Sequence, residues 1–411
     1  MNTTPSPATP EALRTRMVDL ITSSGFASGR MVQEAMSRVP RHEFLPAADV
    51  EIAYANQAVI TKRAADGAAL SCASQPTVVA MMLVQLQVQE GDRILEIGAG
   101  TGYNAALLAQ LTGPRGQVTT VDIDPEVTDQ ARKALDATGN HAVHVITRDG
   151  VLGAPERAPY DRIILTVGAW DLPRAWWDQL APGGRLVVPL RWRGQTRSVA
   201  FVRDGDTLRS DSVELCGFVP LVGQKGELHG PISPAGDVTL YWDADQPINP
   251  AALMATLDQA KTIRWSGQTV VSNESFDGVW LRMTAAEPGT CRLKAAPTAV
   301  SSGLCTPAIA AQSPALVERD SLAYLTQRRL AETEPRWELG AIGHGPAGED
   351  LAERLCKQIR TWNLARTSRP VITARLAGTP DNRLAEGQAI DKDAVRLVVS
   401  CTTGRQKTVG G

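Results

Sequence analysis

Residues 94–103 read Ile-Leu-Glu-Ile-Gly-Ala-Gly-Thr-Gly-Tyr, an apolar run entering a turn with glycine at alternate positions, Gly98, Gly100 and Gly102. Such a turn lets the backbone bend tightly and come close against a ligand, and the helix-forming stretch Asn104 to Leu111 follows it. About 20 residues on, Val118 to Asp122 reads as a second strand ending in an acid, the place where a ribose hydroxyl pair is gripped. Gly-x-Gly-x-Gly with Glu96 ahead of the turn is the pattern of an S-adenosylmethionine site, which has no pyrophosphate to cradle. A hydroxyl stands a short distance upstream in Ser74-Gln75-Pro76. A second glycine run, Gly343 to Gly348, fits the looser Gly-x-Gly-x-x-Gly and follows the strand-like Trp337 to Ile342. After Glu353, however, no acid appears until Asp381. That run reads as a helix start with Pro346 in its first turn rather than a nucleotide site.

The elements that must position these residues alternate. Two helices open the chain, Glu11 to Ser23 and Arg30 to Arg38, and 47–73 has poor periodicity, which makes it a candidate substrate-binding loop. Then come helix Pro76 to Gln87, strand Arg93 to Ile97, helix Asn104 to Leu111, strand Gln117 to Asp122, helix Pro125 to Thr138 and strand Val143 to Thr147. Strand Asp161 to Val167, helix Arg174 to Leu180 and strand Gly184 to Pro189 complete the series. Alternation of this kind predicts a doubly wound, Rossmann-like α/β fold with a parallel sheet. Strands Ser198 to Arg203 and Val213 to Leu221 would pair antiparallel at its edge. The catalytic domain is therefore expected over 1–225, and Pro and Gly signals after Gly226 mark a linker. A second, α+β domain over 226–403 is expected to hold strands at 238–242, 279–284, 291–295, 371–376 and 395–400, with helices Pro250 to Lys261 and Pro346 to Asn363. Residues 404–411 read as a disordered tail.

Composition narrows the function classes. The chain has 411 residues, 42 Lys and Arg against 44 Asp and Glu. So balanced a charge offers no global field for nucleic acid or anionic membrane. Its six cysteines include no Cys-x-x-Cys pair and the histidines do not cluster with them, so neither a metal site nor a disulfide scaffold is expected. No apolar run approaches the ~18 residues that span a bilayer. A cytoplasmic enzyme is the expectation.

Further residues carry a family resemblance. Val39-Pro40-Arg41-His42-Glu43-Phe44-Leu45-Pro46, Ser74-Gln75-Pro76, Arg148-Asp149-Gly150, Ala158-Pro159-Tyr160-Asp161, Gln179 to Val187 and Phe218-Val219-Pro220-Leu221 stand in the order of the blocks of the protein L-isoaspartyl O-methyltransferases. The first domain resembles that family through most of its length. The resemblance implies S-adenosyl-L-methionine as methyl donor and Ser74 as the active-site hydroxyl, with Ser71, Cys72 and Ala73 in the wall around the donor. It puts Glu96, Gly98 and Thr101 at the methionine end, Asp122 at the ribose, and Asp149 with Gly150 at the adenine, with Gly100, Gly102 and Ile123 also among the donor-binding residues. Each has a plainer reading: Ser74 as a helix N-cap, Asp149 as an Asx-turn residue, and His42 as a buried partner of a backbone carbonyl, the reading preferred for that histidine.

Two departures bear on the acceptor. Cys72-Ala73 stands where the family has Thr-Ile before the serine, with Ala68-Ala69-Leu70 ahead of it, and Val222 stands in place of a donor-contacting threonine of some members. Trp170, Trp176 and Trp177 are core or line a peptide groove. Nearly half the chain lies beyond the match. In this the chain is similar to the isoaspartyl-methyltransferase-like enzymes associated with ribosomally made lanthipeptides, lasso peptides and graspetides. That resemblance implies methylation of an ordinary aspartate in a constrained precursor peptide, giving an aspartimide. The alternatives are general repair of isoaspartyl proteins, or a non-catalytic peptide-binding protein on the same scaffold.

Overall fold

The computed structural model describes residues 8–25, 29–65, 67–330 and 334–401; the tail expected at 404–411 lies outside them. The chain forms two units, one of residues up to Leu190 with Arg197–Gly223, the other of Arg191–Thr196 with the residues from Gln224 onward.

The first unit begins with α1 (Pro10–Ser23), α2 (Arg30–Arg38), a 3-10 turn Arg41–Phe44 and the short α3 (Val50–Tyr54). Thr9 caps α1 by accepting from the Ala12 N–H, and Pro10 occupies its first turn. Next comes a hairpin, β1 (Val59–Arg63) and β2 (Ala69–Ala73), antiparallel to each other and forming their own two-stranded sheet. The sequence between 47 and 73 is thus not irregular, as its periodicity predicts. Its strands are too short and too exposed to alternate cleanly.

The alternating series then runs α4 (Pro76–Leu86), β3 (Arg93–Ile97), α5 (Tyr103–Thr112), β4 (Gln117–Asp122), α6 (Pro125–Ala137), β5 (His144–Thr147), β6 (Tyr160–Leu165), α7 (Arg174–Gln179), β7 (Leu180–Trp192), β8 (Gln195–Asp204) and β9 (Thr207–Leu215). Within this unit the strand order is β9-β8-β7-β6-β3-β4-β5. Strands β7, β6, β3, β4 and β5 pair in parallel, and β8 with β9 antiparallel. Ile94, Leu95, Ile97, Val121, Ile163 and Ile164 are fully buried because helices cover both faces. β3 lies between β4, which follows it, and β6, which returns on its other side. The chain order therefore reverses there, and a crevice opens at the carboxyl ends of the strands. The edge strand expected at 213–221 is instead 207–215, which leaves 216–223 free to run past that crevice.

In the second unit β10 (Glu227–Pro231), β11 (Val238–Asp243), β12 (Lys261–Val271), α8 (Asp277–Ala286), β13 (Thr290–Ala295), α9 (Pro297–Ser301), β14 (Ser313–Glu318), β15 (Ser321–Arg329), β16 (Arg336–His344) and α10 (Gly348–Asn363) precede β17 (Val371–Leu376), β18 (Gln388–Asp391) and β19 (Val395–Ser400). Seven antiparallel strands are ordered β10-β11-β13-β14-β15-β16-β12, and β17 and β18 flank β19. Leu351, Leu355, Ile359 and Trp362 of α10 pack on Leu325, Leu339 and Ala341 of the sheet.

Three expectations fail here. Residues 279–284 are helix, not strand: Val279, Trp280, Leu281, Met283 and Thr284 are all buried, so the helical period leaves no mark on the pattern. Residues 250–261 hold only a 3-10 turn, Pro250–Leu253, before β12 begins at Lys261. Pro346 precedes the N-cap Ala347 of α10 rather than entering its first turn. Gly343 lies directly against Gly348, so this glycine run serves close packing of strand on helix.

Candidate methyl-transfer site

β3 carries Glu96 to the floor of the crevice, and the turn after it takes positive φ at Gly98 (103°), Gly100 (49°) and Gly102 (84°). At Gly98 there is no room for a Cβ against the Thr166 side chain, and the Thr166 Oγ1 donates to the Gly98 carbonyl at 2.6 Å. The glycine is required twice over, by backbone conformation and by contact. A cleft of about 470 Å³ is lined by Ser74, Cys72, Ala73, Glu96, Gly98, Gly100 and Thr101, with Arg41, Tyr103, Asn104, Thr166 and Phe218 completing its walls. A second cleft of about 770 Å³ shares Gly98 and is lined by Ser71, Asp122, Ile123, Asp149 and Gly150 together with Lys62, Leu70 and the 220–222 segment. Every expected site residue but one lines one of the two. Gly102 stands apart, facing the Ala131 backbone and the Leu135 side chain of α6, where it permits helix and turn to meet.

The carboxylates are held by different means. Glu96 is wholly buried and accepts from Asn104 Nδ2 at 2.8 Å and Thr120 Oγ1 at 2.6 Å. Burial nevertheless pushes its carboxyl up to about 7. Asp122 ends β4 and accepts from the N–H groups of Gly100 (3.3 Å) and Asp124 (3.2 Å); burial raises its pKa against these donors. Asp149 accepts from the Val151 N–H at 3.0 Å, so it is the Asx-type cap of the 3-10 turn Gly150–Leu152 as well as a cleft residue.

Ser74 is not the N-cap of α4. That position belongs to Gln75, which makes no side-chain capping bond. Cys72 lies close by, its thiol raised by burial and drawn the other way by the Ser74 hydroxyl and the Arg41 charge. His42 departs from the expected carbonyl contact: its Nδ1 meets the Tyr54 hydroxyl at 2.9 Å. The tryptophans are core. Trp176 donates from Nε1 to the Gly150 carbonyl at 2.9 Å and Trp177 to the Leu172 carbonyl at 3.2 Å, while Trp170 is 8% exposed, so none lines a peptide groove.

Over the second cleft, Lys62 of β1 reaches Asp124 at 2.7 Å and Glu126 at 2.6 Å, tying the hairpin to the start of α6. Leu70 (47% exposed), Ile123 (46%) and Val222 (55%) form open apolar lips around it. The cleft thus sets the Asp122 and Asp149 carboxylates beside bare apolar edges. Sequence reasoning missed Lys62, Tyr103 and Thr166, whose partners Asp124, Arg41 and Gly98 lie far along the chain, and Asn104, which meets Glu96 of the preceding strand.

A family model described as protein-L-isoaspartate(D-aspartate) O-methyltransferase matches residues 12–226. The chain belongs to this family. It is accordingly an S-adenosylmethionine-dependent carboxyl O-methyltransferase. A protein-L-isoaspartate O-methyltransferase of Methanopyrus kandleri is 40% identical over 216 residues, 52% of this chain and 92% of the relative. One of Methanoregula boonei is 41% identical over 232 residues, 54% of this chain and 98% of the relative. A solved protein-L-isoaspartate O-methyltransferase is similar to 95% of this chain and 99% of its own, with 18% identity and a TM-score of 0.49. The methyltransferase match ends close to where the second unit resumes at Gln224. Among the described residues no helix is long and apolar enough to cross a membrane, and no cluster of His, Cys, Asp and Glu is set to hold a metal ion.

Proposed function

We propose that the chain methyl-esterifies the free carboxylate of an L-isoaspartyl residue in a protein or peptide. The observation that carries this reading is the position of Ser74, in one cleft wall with Glu96, Gly98 and Thr101 and unused as a cap. The bound donor supplies an activated methyl carbon on sulfur. An acceptor carboxylate of ordinary pKa, ~3.9, is ionised at neutral pH, so no general base is needed to make the nucleophile. The chain's own task is to aim one carboxylate oxygen at the methyl and to keep water away. A neutral hydroxyl such as Ser74 orients that oxygen by donating to its partner oxygen, without a charge that would weaken the nucleophile. Asp122 and Asp149 hold the adenosyl end and Glu96 faces the cationic end. Once esterified, the carbonyl is open to the next backbone nitrogen. A C–N bond forms, methoxide leaves with the amide proton as methanol, and a succinimide remains.

A second reading, methylation of an ordinary aspartate in a constrained precursor peptide, draws on two features of the chain: it has a folded unit beyond the family match, and its serine loop carries Leu70, Cys72 and Ala73 where the family's own residues differ. Mass spectrometry of a linear isoaspartyl peptide and a cyclised aspartyl peptide, each incubated with enzyme and donor, separates the two. Methyl gain on the linear isoaspartyl peptide is the expected result. Methylation confined to the cyclised aspartyl peptide, followed by loss of methanol, would replace the first reading with the second.

A further inference from the structure

Arg41 is fully buried, and among the described residues it has no carboxylate partner and its Nη1 has no hydrogen-bond acceptor. It arises from the 3-10 turn Arg41–Phe44 and spends its hydrogen bonds on main-chain carbonyls: Nε to Ala53 at 2.8 Å, Nη2 to Ser74 at 2.8 Å and to Ala73 at 3.4 Å. The guanidinium carbon lies 4.9 Å from the centre of the Tyr103 ring, which closes the other side. Burial lowers its pKa, yet guanidinium stays protonated across the working range, so a fixed positive charge sits behind the serine loop. Fifteen residues on, Asn56 grips the far side of the same turn. Its Oδ1 accepts from the Thr77 N–H at 3.2 Å and from the Thr77 Oγ1 at 2.6 Å.

We propose that Arg41 and Asn56 form a two-point brace that sets the orientation of Ser74, and that both are positioning residues for methyl transfer. Holding the loop to the protein needs no charge; a leucine in the space of Arg41 would pack. What the Nη2 amino group of the guanidinium adds is direction. Two carbonyls, one on each side of the Ser74 Cα, are turned toward the same cation, which fixes the two peptide planes that flank it. With Thr77 held by Asn56, Ser74-Gln75-Pro76 is pinned at both ends, and Pro76 stiffens the stretch between. The side-chain direction of Ser74 then follows from the backbone. A hydroxyl that must meet an acceptor oxygen to within about an ångström needs that constraint, since small misplacements at a reacting centre cost rate rather than binding.

The brace rests on the reading of Ser74 as the acceptor-orienting hydroxyl, and a double-mutant cycle separates the two claims. Arg41→Lys, Asn56→Ala and Ser74→Ala are made singly, and each brace variant is combined with Ser74→Ala. kcat and KM are measured on an isoaspartyl peptide, with S-adenosylhomocysteine affinity by calorimetry. Arg41→Lys and Asn56→Ala are each expected to lower kcat by about tenfold or more while the affinity for S-adenosylhomocysteine stays within about twofold. In the Ser74→Ala background the same changes are expected to lower kcat by less than about twofold, because a direction without a hydroxyl has no effect left to exert. Additive losses, or unchanged kcat in both brace variants, overturn the brace while leaving Ser74 its role. An unchanged rate in Ser74→Ala alone removes that role and the brace with it. If Arg41→Lys loses donor affinity and turnover together, the half-buried Asn56 decides: a parallel loss there overturns the proposal, and a loss of kcat alone upholds it.

Discussion

Glu96 concentrates the electrostatics of the site in one side chain. It is buried at the floor of the cleft with its carboxyl pushed up to about 7, although Thr120 and Asn104 both donate to it. A carboxyl raised by folding contributes stability that is complete below the ordinary carboxylate range and is lost as pH rises through about 7. The donor-free protein should thus become less stable between about pH 4.5 and 7, by a few kcal/mol at most, and Glu96→Gln should flatten that slope in urea unfolding. A cationic ligand beside Glu96 acts the other way and favours its ionised form. Binding of S-adenosylhomocysteine, whose amino group is charged, is expected to release protons near pH 6.5. Calorimetry in two buffers of different ionisation enthalpy reads this directly, and Glu96→Gln should abolish the difference. Ser74, Glu96, Asp122 and Asp149 are marked out in the sequence by local motifs, and all four line the clefts. Arg41 and Lys62 were not readable in their roles, since their partners lie 33 and 62 residues away and no local pattern encodes such distances.

The hairpin β1–β2 and helix α7 show how neighbouring elements serve the donor cleft without chemistry of their own. Lys62 fastens the hairpin to Asp124, which itself caps α6 by accepting from the Glu126 N–H at 3.0 Å. This tie is solvent-exposed and therefore sensitive to salt. Lys62→Met is expected to speed donor release several-fold with little change in kcat, and raising the salt concentration should weaken donor binding in the parent more than in the variant; stopped-flow release measures both. On the opposite wall, Trp176→Phe leaves the buried Gly150 carbonyl without its donor. A cost of about 1–3 kcal/mol in stability is expected, with weaker S-adenosylhomocysteine binding, both accessible to thermal shift with and without ligand. The parallel strands were readable because apolar runs such as Ile94 to Ile97 are bounded by turns and alternate with helices. The hairpin was not, since Val59 to Arg63 and Ala69 to Ala73 are half-exposed and short. α8 was misread for the opposite reason: Val279 to Thr284 is so largely buried that helix and strand look alike in sequence.

In the whole molecule, the family match and the folding units do not coincide. Residues 191–196 lie inside the matched span yet belong to the second unit. There Arg193 is 4% exposed in its side chain, with Asp243 accepting its N–H at 2.8 Å and Asp245 meeting its guanidinium at 2.6 Å, while the Trp280 Nε1 donates to its carbonyl at 3.3 Å. Trp192 is buried as well, donating to Thr284 at 3.2 Å. Asp243→Ala should destabilise the protein by about 1–3 kcal/mol in urea unfolding, because it leaves the buried Arg193 N–H without its acceptor and takes away one of the two carboxylates that face the guanidinium. A chain truncated after Gly226 would leave Trp192 and Arg193 without their surroundings, and it is expected to aggregate unless 191–196 is replaced by a short polar turn. The chain therefore passes between the two units three times, at 190/191, 196/197 and 223/224. Cutting the 223–227 segment with a protease would sever only one of those passages. The two fragments should stay together through gel filtration and separate only in denaturant, because residues 191–196 of the first fragment are built into the second unit.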